Sequence, residues 1–112
     1  MIQVKTFKFS LRIVRLSRHL NEKKSEYVLA KQVLRSGTSV GANVEEAIGG
    51  STKKDFLYKM SIAYREARET KYWLRLLMGS DYLEPELATS LLNDCEEILK
   101  ILGSIQKTVK SN

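Results

Sequence analysis

Apolar residues recur at helical intervals along almost the whole chain, and the pattern resets three times. Phe9, Ile13, Leu16 and Leu20 fall four, three and four apart. That is the spacing of one helix face, and it predicts a first helix over 5–20. Asn21-Glu22-Lys23-Lys24-Ser25 breaks the pattern and reads as a short turn. A second stripe, Ala30, Val33, Gly37, Val40, Val44 and Ala47, predicts a helix over 26–48. Ser25 is the expected N-cap of that helix, and Gly49-Gly50 ends it. The third stripe is Phe56, Met60, Ala63, Ala67, Thr70, Leu74 and Leu77, a helix over 53–78. Thr52 with Asp55 three residues on resembles a capping box, with Asp in place of the usual Glu or Gln. Gly79 to Tyr82 reads as a loop. Pro85 opens a fourth helix over 85–109, since proline lacks only an N–H that the first turn would leave free. Its stripe is Ala88, Leu91, Cys95, Ile98, Leu102, Ile105 and Val109.

Four amphipathic helices with short connections imply an all-α, antiparallel up-down four-helix bundle in one domain. The three-four spacing favours shallow crossing angles of about 20°. One stretch departs from ordinary helix chemistry. Arg35 to Ala47 holds two glycines, two serines and a threonine. Glycine costs about 1 kcal/mol against alanine inside a helix, so the stretch needs a return. Gly37 and Gly41 share a face with Val40 and Val44, which lets another helix come close. Ala63, Ala67 and Thr70 on helix three are small enough to receive that face. Arg35, Asn43, Glu45 and Glu46 exclude a membrane version of the same glycine spacing.

Composition narrows the picture. The chain has 112 residues, one proline and one cysteine. That is enough for one modest core and too little cysteine for an intrachain disulfide or a thiolate zinc cluster. No run of about 18 apolar residues offers a membrane helix. The opening segment is interrupted by Lys8, Arg12 and Arg15, unlike a signal peptide. A cytoplasmic protein is expected.

The net charge is +6. Residues 1–25 hold seven basic residues against Glu22 alone, so the whole excess lies there. Lys5, Lys8, Arg12, Arg15 and His19 recur at three and four, about 100° around helix one from the apolar stripe. Such a row, with Arg18 beside it, can follow a phosphate backbone. The plainer reading is a solvated face. No base-reading motif accompanies the row.

Other candidate chemistry is thin. A di-metal bundle site needs Glu-x-x-His pairs, yet His19 is the only histidine and no Glu precedes it by three. No metal or other cofactor is expected. Cys95 occupies an inner position and reads as core filler rather than a nucleophile. Glu66, Glu69, Thr70 and Trp73 cluster on helix three. The favoured reading is that these carboxylates pair with arginines such as Arg35 or Arg65 and fix register. Asn43 has a similar expected role. Trp73, Tyr72, Tyr64 and Phe56 could stack on bases, but a core or subunit interface uses the same residues.

Three stretches carry a family resemblance. They are Arg35-Ser36-Gly37-Thr38-Ser39-Val40-Gly41-Ala42-Asn43-Val44-Glu45-Glu46-Ala47, Asp55-Phe56-Leu57-Tyr58-Lys59-Met60-Ser61-Ile62-Ala63 and Glu66-Ala67-Arg68-Glu69-Thr70-Lys71-Tyr72-Trp73-Leu74. Together they resemble the four-helix-bundle proteins encoded in intervening sequences of 23S ribosomal RNA genes. Thr6-Phe7-Lys8-Phe9 fits the family's opening, and the match continues weakly over 96–102. Tyr64 stands where the pattern has an aliphatic residue. The resemblance implies an up-down bundle assembled as a homopentamer. A related branch, the accessory variability determinant of diversity-generating retroelements, implies a basic barrel that binds nucleic acid and a reverse transcriptase. No catalytic residues come with it. The expected function is therefore non-enzymatic binding of RNA or DNA through Lys5, Lys8, Arg12, Arg15 and Arg18. The rival is a protein-interaction scaffold.

Overall fold

The computed structural model describes residues 1–112 as four α-helices with no strand. They are α1 (Ile2–Lys24), α2 (Val28–Ile48), α3 (Lys53–Gly79) and α4 (Pro85–Ser111). At 1.5 Å per residue the longest helices account for most of the 47 Å length of the molecule, which is about 20 Å across. Each helix packs on its neighbours in sequence, and α4 closes back on α1. This is the up-down bundle that the short connections predict. The α1–α4 side is the most loosely packed of the four.

The helix ends follow local chemistry, with one reassignment. Ser25 does not cap α2. It adopts a left-handed conformation (φ 52°) and terminates α1, which continues through the expected turn to Lys24. The Ser25 N–H donates to the Leu20 carbonyl, and so does the Glu26 N–H, at 2.9 Å, so the left-handed residue folds the chain back on a carbonyl that the last turn of α1 leaves free. The Glu26 carboxylate then accepts from the Leu29 N–H at 2.5 Å and serves the start of α2. Thr52 behaves as expected: its hydroxyl accepts from the Asp55 N–H at 3.0 Å. Helix α3 runs through Gly79, and Asp81 (φ 67°) makes the left-handed turn instead.

The predicted stripes form the core. All stripe residues of α1 and α2 are buried. On α3 and α4 only Phe56, Ile105 and Val109 are half-exposed. Gly37, Val40, Gly41, Val44, Ala63 and Ala67 are all buried.

The glycines, however, serve a different seam from the one expected. A Cβ on Gly37 would lie 2.8 Å from both γ carbons of Ile13. A Cβ on Gly41 would lie 3.3 Å from the Thr6 carbonyl oxygen. Both glycines therefore admit α1, not α3. The reason is angular. Successive residues of a helix turn by about 100°, so Ser36 and Gly37 face different neighbours. Ser36 points to α3, where its hydroxyl lies 2.9 Å from that of Thr70. Ala67 serves the α4 side through its carbonyl, which the Cys95 thiol approaches at 3.2 Å. Tyr64 lies over Gly103 of α4, where a Cβ would still stand 3.7 Å from the ring. The missing side chain at 103 leaves room for the larger residue at 64.

Candidate nucleic-acid interface

The cationic row of α1 runs along the α1–α4 groove. Because the two helices are antiparallel, the start of α1 lies beside the middle of α4. Two of the five cations meet carboxylates there. The Lys5 ammonium is 2.5 Å from Glu97, and the Arg12 guanidinium is 2.5 Å from Asp94. Both are half-buried. Lys8, Arg15 and Arg18 are exposed and make no ion pair. The expected five-residue site thus divides into two tethered cations and three free ones. Partly exposed pairs of this kind contribute little to stability, but each carboxylate offsets the positive charge that a phosphate would meet at that position.

The groove itself has an apolar floor. Arg12, Arg15, Leu16, His19, Leu87 and Leu91 line a cleft of about 230 Å³. His19 is exposed at its edge. Asp94 and Glu97 were legible only with topology in hand. They sit three apart beside the Leu91–Ile98 stripe, which places them on α4 facing α1 once the bundle closes.

The acidic cluster of α3 has a structural role. Arg35 of α2 bonds Glu66 at 3.1 Å and also bonds Glu69. Glu69 further accepts from the Trp73 indole N–H at 2.9 Å. These contacts tie α2 to α3, as the register reading expects, with Arg35 rather than Arg65 as the partner. Asn43 does not share that role. It donates to the Ser39 carbonyl of its own helix at 2.8 Å. The aromatic residues do not form a stacking platform either. Tyr72 is exposed, with its ring edge-on to Trp73, while Trp73, Tyr64 and Phe56 are half-buried.

Cys95 is fully buried, and burial pushes its thiol up to about 12. A thiolate is the reactive form, so this cysteine is inert in the folded chain. A thiol-reactive dye at neutral pH is expected to label Cys95 only as fast as the protein unfolds, and at once in denaturant. Rapid labelling of the native protein would place the thiol at the surface. No group of three or more His, Cys, Asp or Glu side chains is arranged to hold a metal ion. No helix is long and apolar enough to cross a membrane.

Comparison with known proteins agrees with this architecture. The family model described as 23S rRNA-intervening sequence protein matches residues 1–104. A crystal structure from Bacteroides thetaiotaomicron superposes with a TM-score of 0.95 at 45% identity, covering 96% of this chain and 99% of the other. That protein is described as having unknown function and as belonging to the S23 ribosomal protein family. A search of curated proteins finds no match. The bundle topology, the near-complete superposition and the match over 1–104 together establish that the chain belongs to the 23S rRNA-intervening sequence protein family.

Proposed function

We propose that this chain is a non-enzymatic, self-associating bundle of the cytoplasm that binds RNA or DNA without reading sequence. The observation that carries the reading is the exposed, unpaired set Lys8, Arg15 and Arg18, within the segment that holds the entire net charge. Lys23 and Lys24 are also exposed and extend the set past the end of the row. Phosphate contacts of this kind supply affinity without specificity. Self-association would repeat the set and strengthen its field.

The test is a fluorescence-anisotropy titration with a structured RNA and a matched duplex DNA over a salt series. Binding should weaken steeply with salt, by about 0.9 in logarithmic slope for each phosphate neutralised on duplex DNA. Arg15→Glu with Arg18→Glu should reduce affinity by at least about tenfold and flatten that slope. These positions are chosen because neither residue has a carboxylate partner. Arg12→Glu would instead set a new acid against Asp94 and disturb the α1–α4 groove. Unchanged binding by the double variant would reject the site. Absence of binding at low salt would reject the function.

A second reading is a scaffold for a protein partner such as a reverse transcriptase. A surface feature of α1 favours protein contact and carries the next inference.

A further inference from the structure

Helix α1 has two apolar faces. One is the buried stripe of Phe9, Ile13, Leu16 and Leu20. The other is Val4, Phe7, Leu11 and Val14, which are 51, 64, 42 and 37% exposed. The second set is spaced three, four and three, and it lies roughly half a turn around the helix from the first. A helix on a bundle surface needs one apolar stripe, and its outer face is ordinarily polar. The three-four repeat is the spacing of a seam between helices. The outer face of α1 is therefore built for burial by something that the single chain does not supply.

The flanks of this face differ in charge. On one side stand Lys8 and Arg15, exposed and unpaired. On the other, α1 meets α2 in a shallow groove where Thr38, Ala42 and Glu45 lie beside Phe7. Glu45 is exposed and makes no ion pair. Consider a second copy laid antiparallel across Leu11. Like flank would meet like flank, and Lys8 of each copy would face Arg15 of the other. A second copy laid parallel brings unlike flanks together, with Lys8 at the level of the partner's Glu45. Charge complementarity of this kind fixes register and rejects the alternative.

We infer that the Val4–Val14 face of α1 is a self-association surface, on which α1 of a second copy packs in parallel with its Lys8 flank against the α2 flank carrying Glu45. This rests on the self-association proposed above and names its surface and direction. Lys8 then serves the seam, Arg15 of each copy remains at its border for phosphate, and Arg18, four residues past Val14 on the same line of the helix, stands at the end of the face.

Sedimentation velocity over a concentration series tests this with wild-type protein, Leu11→Glu and Phe7→Lys. Wild type should sediment as an oligomer. Both variants should sediment as monomers with unchanged helical circular dichroism, since both side chains are already exposed. A monomeric wild type at all concentrations would overturn self-association itself. An oligomeric wild type with either folded variant equally assembled would overturn only the assigned face. For direction, Lys8→Glu should weaken assembly by about tenfold or more, and adding Glu45→Lys should restore it. Failure of the restoration would overturn the parallel arrangement.

Discussion

Gly37→Ala destabilises the bundle even though alanine is the better helix former. Helix propensity alone favours the substitution by about 1 kcal/mol. The new methyl group, however, would sit 2.8 Å from Cγ1 and Cγ2 of Ile13, closer than carbon atoms approach. Ile13 is fully buried and, being β-branched, is held to one χ1 rotamer in a helix. It cannot swing aside, so α1 must move off α2. Overpacking of this kind costs about 1–3 kcal/mol. Gly37→Leu costs more and is expected to lower the melting temperature by at least about 10 °C, at about 4–8 °C per kcal/mol for a small domain. Gly41→Ala is milder, because its closest contact is 3.3 Å to the Thr6 carbonyl oxygen and propensity offsets much of the strain. Gly103→Ala runs the other way. Its methyl group meets only the Tyr64 ring at 3.7 Å, so stability should rise by about 0.5–1 kcal/mol. Urea unfolding of the three alanine variants at one protein concentration checks the order Gly103→Ala, Gly41→Ala, Gly37→Ala from most to least stable. Equal stability of the first and last would show that Ile13 yields freely. Ile13→Val would not relieve Gly37→Ala, because valine keeps both γ carbons.

The same residues show what the sequence discloses and where it stops. Helix number, order and inward faces follow from local periodicity, because a helix that must bury one face repeats its apolar residues every three or four positions. Phe9, Ile13, Leu16 and Leu20 are buried for that reason. Which neighbour a residue meets is a property of four helices at once. Gly37 and Ser36 are adjacent in sequence, yet one meets α1 and the other α3. The cationic row illustrates the same limit. Lys5 and Arg12 look identical to Lys8 and Arg15 along the chain, and only closure of α4 sets Glu97 and Asp94 against the first two. The outer apolar face of α1 was fully written in the spacing of Val4, Phe7, Leu11 and Val14. It is obscured because one amphipathic stripe suffices to explain a bundle helix. Its meaning emerges only once the inner stripe is seen to fill the core.

The buried hydroxyl pair between α2 and α3 should respond asymmetrically to mutation. Ser36 and Thr70 are both fully buried, and their hydroxyl oxygens lie 2.9 Å apart. Thr70 has a second partner, the Glu66 carbonyl at 2.7 Å. Thr70→Val preserves shape but leaves the Ser36 hydroxyl without its cross-helix partner. Stranding a buried polar group costs about 1–3 kcal/mol. Ser36→Ala strands less, because Thr70 still donates to Glu66, and alanine improves the helix propensity of α2. Removing both hydroxyls should come closer to wild-type stability than Thr70→Val alone, since no polar group is then left unpaired. The measurement is a double-mutant cycle by urea unfolding, read from the midpoint with the slope unchanged. A coupling near zero would mean that each hydroxyl is satisfied within its own helix. The pair would then contribute nothing to α2–α3 register, leaving that task to Arg35 with Glu66 and Glu69. A clear coupling would show that register is fixed twice, once by charge at the surface and once by the hydroxyl pair in the core. That rigidity would hold the glycine face of α2 in place to receive α1, the helix that carries both the free cations and the outer apolar face.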